Sequence, residues 1–231
     1  MDKIEQYSKA IDDFVSIVNR IKDERRINIR EGKYVNVFTL WNMFSGLTEP
    51  IHSRILHFIL SSDPMHGQEK LFLKLFLQRI DIKIQDNEEW IVTAEKGRVD
   101  VMLKRYHPSS VIIIENKSNW AGDQPNQLYR YWYQNIHKVE EDCYPDYYKT
   151  HPEFKIVYLI PNENKILNDD SRKKPSDYPE ELPSELPIEP INFRFDKDIS
   201  EWLLDCINSL PEENTPLKNL LSQYNEYCKN L

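Results

Sequence analysis

The sequence predicts a single domain of the α/β (α+β) class. Three observations carry this expectation. Apolar residues recur at helical spacing through the first 80 positions, the period switches to 2 between Ile80 and Lys117, and helical and strand patterns alternate from there on. A chain of 231 residues is long enough to bury a core without disulfide or zinc staples, and no internal repeat or second core is visible. The composition, 40% hydrophobic with 12% aromatics and five glycines, excludes collagen-like, low-complexity and wholly disordered chains. A net charge of −8 excludes a protein that coats polyanions.

Ile4, Tyr7, Ile11, Phe14, Val15, Val18 and Ile21 place an amphipathic helix over the first two dozen residues. A second helix is expected over Val37 to Phe44. Thr48 is suited to cap a third, with Pro50 in its first turn, Ile51, Ile55, Phe58 and Ile59 on one face, and an end near Asp63-Pro64. A fourth, from about Gln68 to Arg79, is apolar on most sides and reads as deeply buried. Strands follow at Glu89 to Ala94, Arg98 to Lys104 and Val111 to Lys117, the last two joined by a turn around His107-Pro108-Ser109. A helix over Gln124 to Glu140 buries Leu128, Trp132, Ile136 and Val139, and Phe154 to Ile160 is a short buried strand. Six of the fourteen prolines fall between Pro161 and Pro190, where five acids and no Lys or Arg follow Pro175, so a solvated excursion is expected. A strand over Ile191 to Phe195 and helices over Asp198 to Ser209 and Thr215 to Lys229 close the chain. The domain thus comprises a helical part (1–80), a core carrying the chemistry (81–160), the excursion (161–190) and a closing strand with helices (191–231).

The third strand runs Val111-Ile112-Ile113-Ile114 into Glu115-Asn116-Lys117, and alternation puts Glu115 and Lys117 on one face. If the hairpin is symmetric about the His107–Pro108 bond, paired positions sum to 215 and Asp100 faces Glu115. Opposed carboxylates repel unless something neutralises them, and a hard divalent cation does so. Asp100, Glu115 and the Asn116 carbonyl suit Mg²⁺, with Lys117 beside it to orient or help deprotonate a water or to balance charge on a phosphate. E-x-K occurs four times in this chain, at Glu31, Glu115, Glu153 and Glu163, but only at Glu115 does it end an apolar strand that follows one bearing an aspartate. The spacing alone also fits a surface ion pair with Asp100 solvated nearby.

These residues resemble the PD-(D/E)XK nuclease superfamily, whose members carry an Asp on one strand and E-x-K on the next. Glu49, opening Glu49-Pro50-Ile51-His52-Ser53-Arg54-Ile55-Leu56, stands where many members place a further acid that reaches the metal. Gln127-Leu128-Tyr129-Arg130-Tyr131 matches the Q-x-x-x-Y pattern of RecB-like members, and spacing i, i+4 sets Gln127 and Tyr131 on one helical face. Glu49 to Leu60 with His66-Gly67, and Gly97-Arg98-Val99-Asp100 with Glu115 to Gln124, are similar to a bacterial branch of the superfamily; the family's proline before the aspartate is Val99 here. The resemblance covers roughly residues 45 to 160. It implies a restriction-endonuclease-like core, a central mixed sheet flanked by helices with an N-terminal helical region. It further implies a metal-dependent nuclease acting on nucleic acid, DNA before RNA, by a metal-activated water. Asp100, Glu115, Lys117, Gln127 and Tyr131 form the implied catalytic set, and Glu49, Asp100, Glu115 and Asn116 the ligands of Mg²⁺, with Mn²⁺ as substitute. The competing reading is an inactive nuclease-fold module that binds or assembles within a defence or repair complex.

Other residues have plainer readings. Glu49 also suits a helix N-terminus as such. His52, His57 and His66 do not make a familiar zinc set, and His66-Gly67 reads as a turn that positions the following helix. Leu128 and Trp132 read as core, while Tyr129 or Tyr133 is suited to stack on a base if it is not. Despite a pI near 5.4, Arg98, Lys104, Arg105, Lys117, Arg130 and Lys138 gather in sequence around the site, enough for a modest basic cleft. Cys143, Cys206 and Cys228 lack paired spacing, the longest apolar run is the five residues Ile156 to Ile160, and no apolar signal core follows Met1. The expectation is a cytoplasmic protein with reduced thiols and no membrane partner, with a protein partner or homo-oligomer left open.

Overall fold

A computed structural model describes residues 3–33, 35–62, 65–138, 149, 151 and 153–231. The chain divides into two compact units, Met1–Phe44 and Ser45–Leu231. The first carries α1 (Lys3–Arg30) and most of α2 (Val37–Ser45). Helix α1 runs about two turns beyond the expected stretch. The Asn36 side chain accepts from the amides of Phe38 and Thr39 and so caps α2.

The second unit is built on a five-stranded mixed sheet: β1 (Trp90–Lys96), β2 (Val99–Arg105), β3 (Ser110–Asn116), β4 (Lys155–Ile160) and β5 (Ile191–Arg194), in that order. The first three pair antiparallel, and β3–β4 and β4–β5 pair parallel. The β2–β3 pairs run from Val101 opposite Ile114 to Arg105 opposite Ser110, the predicted register. One difference lies at the β1–β2 turn. Arg98 is not a strand residue: Gly97 and Arg98, at φ +64° and +68°, form the two-residue loop whose paired positive φ matches the strand twist.

The sheet is covered on both sides. Alternation sends Ile113, Glu115, Ile156 and Tyr158 to one face, where α5 (Gln127–Trp132) and its continuation through Ile136 pack Leu128, Tyr129 and Trp132 against them. Here the excursion departs from expectation. It is not solvated throughout: Leu186 joins this core, and Tyr129 donates to the Pro183 carbonyl at 2.6 Å. Apolar residues spaced among its acids, such as Tyr178 and Leu182, had a packing role that composition hid.

The opposite face carries Ile112, Ile114, Val157, Leu159 and Phe193 and receives α3 (Glu49–Leu60), α4 (Leu71–Arg79), α6 (Ser200–Ser209) and α7 (Thr215–Cys228). Phe76 meets Phe193 and Trp202 edge to face. The buried stripe of α3 is His52, Ser53, Leu56, Ile59 and Leu60; of the expected face Ile51, Ile55, Phe58 and Ile59, only Ile59 is fully buried and the other three are half-buried, because the helix also turns His52 and Ser53 inward. His52 is fully buried, its Nδ1 2.9 Å from the Tyr224 hydroxyl, and burial pulls its pKa down to about 3, so it is neutral. Thr48 makes no side-chain cap; its carbonyl instead accepts from Ile51 and His52. His66 holds the turn before α4 by bonding Ser61 and Gln68. The expected positions Asp63, Pro64, Val139 and Cys143 lie outside the described residues. Cys206 and Cys228 are free and buried. Among the described residues no helix is long and apolar enough to cross a membrane.

Candidate active site

Glu115 and Asn116 are neighbours on a strand, so their side chains leave opposite faces of the sheet, and this divides the labour of the site. Asn116 points toward α3. Its Nδ2 donates to the Glu49 carbonyl at 2.9 Å and to Ser53 Oγ at 3.1 Å, while its Oδ1 accepts from the Ser118 amide. That clamp fixes the first turn of α3, and Glu49 Oε1 in turn accepts from the Asn119 amide. Glu115 points the other way, toward α5, on the face that the register gives to Asp100. Asp100 Oδ2 accepts from the Asn116 amide at 2.6 Å, which ties the two strands at their open end.

A pocket of about 410 Å³ opens at this end of the sheet. Glu49, Asp100, Glu115, Lys117, Gln127 and Tyr131 line it together. Six of the seven residues singled out from the sequence therefore share one cavity. The seventh, Asn116, turns its side chain away to brace α3.

Lys117 is nearly fully buried and pairs with Glu115 at 2.7 Å, with Asp123 4.0 Å away. Its ammonium also donates to Gln127 Oε1 at 3.2 Å; Gln127 Nε2 donates to the Tyr131 hydroxyl, which donates to the Arg98 carbonyl at 2.6 Å. The i, i+4 pair on α5 thus anchors the lysine to the β1–β2 turn. Burial lowers the Lys117 pKa, but Glu115 and then Asp123 outweigh it and leave it raised, so the ammonium stays charged.

The carboxylates are under opposite pressure. Burial, then Glu115, push the Asp100 carboxyl up to about 8. Burial raises Glu115 too, against the pull of Lys117. Glu115 Oε2 is buried without a hydrogen-bond partner, an acceptor lacking a donor. A hard cation would answer both: it would take the orphaned oxygen and offset the burial and the Glu115 repulsion that together push the Asp100 carboxyl up. Asp100 and Glu115 would hold it, with Glu49 at the pocket wall. Among the described residues no three His, Cys, Asp or Glu side chains converge into a closed cage. Two carboxylates with room for water and substrate oxygens suit an ion such as Mg²⁺, which dehydrates reluctantly.

The structure adds residues and removes others. Asp123 was not singled out, since it lies in a loop without periodicity. Its side chain is almost wholly buried, accepts from Tyr158 at 2.8 Å and from the Asn168 amide at 2.9 Å, and lies 3.7 Å from Lys165. It holds the far side of Lys117. Trp120, 48% exposed and at φ +61°, stands beside the lining residue Ala121. The expected basic cluster separates. Arg98 and Arg130 line the pocket with Lys117. Arg105, however, is buried against Glu88 at 2.6 Å, and Lys104 and Lys138 lie over the rings of Tyr106 and Tyr133. Tyr129 is buried, so no base stacks on it. His52, His57 and His66 are spread through packing contacts with Tyr224, Val92 and Ser61.

No curated protein and no solved structure is found to match this chain. A family model described as the PD-(D/E)XK nuclease superfamily matches residues 35–226, which span both sheet faces and every residue of the pocket. The chain belongs to the PD-(D/E)XK nuclease superfamily.

Proposed function

We propose that the protein is a divalent-cation-dependent nuclease that hydrolyses phosphodiester bonds, DNA before RNA, in the pocket of Asp100, Glu115 and Lys117. The observation that carries this reading is the buried Asp100–Glu115 pair with its orphaned Glu115 oxygen beside a charged Lys117. Asp100 and Glu115, with Glu49 and the Asn116 carbonyl as further ligands, would hold Mg²⁺ or Mn²⁺, which when bound would supply Lewis acidity toward water and phosphate. The protein does the rest by placement. Lys117, fixed by Gln127, Tyr131 and Asp123, presents a positive charge where the phosphate gains negative charge in the transition state. Arg98 and Arg130, on separate elements of the same pocket, would meet the flanking phosphates, and the exposed Trp120, one residue before the lining Ala121, would offer a ring to an unpaired base. These three cations let a chain of net charge −8 hold a polyanion locally.

The test incubates the wild type and Lys117→Ala with single- and double-stranded DNA and RNA in Mg²⁺, in Mn²⁺ and in chelator. Cation-dependent cleavage that falls at least about 100-fold in the variant is expected. Cleavage unaffected by Lys117→Ala refutes the assignment. An absence of both cleavage and cation-dependent stabilisation supports instead a nuclease-fold module acting by binding or assembly.

A further inference from the structure

Helix α1 is 28 residues long, about 42 Å at 1.5 Å per residue. Tyr7, Ile11, Phe14, Val15, Ile17 and Ile21 are each 48 to 69% exposed on it. A run of large apolar side chains this open to water marks an interaction surface. Their spacing says what kind. Tyr7, Ile11, Phe14, Val18 and Ile21 alternate by four and three residues, the a/d repeat of a helix that packs along another helix, with Val15 and Ile17 flanking the seam.

Charge then selects the partner and its direction. Over residues 3–15 the helix has two lysines against three acids; over 16–30 it has five basic residues against two acids. A second copy running antiparallel sets each basic half beside an acidic one. In that direction a positions pack on d positions, and positions summing to 25 share a layer: Ile11 with Phe14, and Tyr7 with Val18. The apolar seam is thus its own complement about a two-fold axis between Asp12 and Asp13. Parallel pairing would instead stack the basic halves and bring Arg25, the next a position, against its own copy.

We propose that α1 is the interface of an antiparallel homodimer, in which the 7–21 seam of one chain packs on that of a second. Sedimentation equilibrium of the full chain at tens of micromolar is expected to give twice the monomer mass of 27.7 kDa. Ile11→Asp/Phe14→Asp should return the monomer, weakening association at least 100-fold, with helical circular dichroism and the melting of the rest retained. Direction is read by cysteine pairing in a Cys143→Ser background. Tyr7→Cys and Val18→Cys proteins should form a disulfide when mixed and oxidised, and neither should do so alone, since like positions lie about 16 Å apart along the axis. A monomeric wild type, a dimer that survives the double aspartate, or self-crosslinking at Tyr7→Cys or Val18→Cys without the mixed product would each overturn the proposal.

Discussion

Asp100→Asn isolates the electrostatic strain of the pocket. Unfolded, the Asp100 carboxyl ionises near 3.8; folded, it holds its proton to about 8, chiefly because it is buried and secondly because Glu115 faces it. Between those values the folded chain binds the extra proton. The stability this confers is therefore complete below about pH 4 and is lost as pH rises through 8. At 1.36 kcal/mol per unit, the span bounds the loss at about 6 kcal/mol. Asparagine removes the charge while its Oδ1 can still accept from the Asn116 amide. In chelator at pH 9 we expect the variant to be more stable than the wild type by about 2 kcal/mol, roughly 4 to 8 °C in melting temperature for a chain of this size. At pH 4 the two should melt together. Mg²⁺ at a hundredfold excess over its dissociation constant should restore about 2.7 kcal/mol to the wild type at pH 9 and far less to the variant. Calorimetric melts at both pH values, with and without cation, make the measurement. A variant no more stable than the wild type at pH 9 in chelator would show that the two carboxylates are not in conflict, and the cation argument would fall with it.

Other perturbations probe the frame around the pair. Glu88→Ala strands the buried Arg105 guanidinium and a Trp90 indole N–H, and should cost about 3 to 5 kcal/mol in urea unfolding. Asn116→Ala removes the bonds to Glu49, Ser53 and Ser118; a stability loss of about 1 to 3 kcal/mol with a fall in nuclease rate is expected, whereas loss of stability alone would deny the clamp a role in placing Glu49. Asp123→Asn takes away one of the charges that raise Lys117. Its ammonium should then titrate at lower pH, so the alkaline limb of the pH–rate profile should move acid-ward with about a tenfold slower reaction near neutrality, and an unmoved limb would remove Asp123 from its positioning role.

Much of the candidate site was legible because it sits on a hairpin. Strand alternation and a symmetric turn fix register locally, so the Val101–Ile114 to Arg105–Ser110 pairing that leads to Asp100 and Glu115 follows from counting residues, and the i, i+4 rule places Gln127 beside Tyr131. Misreadings arose where no local period operates. Arg98 continues the strand pattern of β2, and only the closed turn shows that it shares the left-handed conformation of Gly97. Arg105 reads from the sequence as one of the basic residues gathered around the site, since its buried partner, Glu88, lies 17 positions earlier on a separate stretch.

The order of helices and strands and the faces of β2 and β3 follow from the amino-acid chain alone. Those are matters of period and short-range spacing, written in neighbouring residues. The surroundings of the site's charges depend instead on packing. Only packing α5 against one face and α3 against the other buries Lys117 with Glu115, brings Asp123 across from a loop, leaves one carboxylate oxygen without a donor and turns Asn116 into a brace. Each depends on desolvation and on contacts between distant segments, quantities that no window of the chain contains.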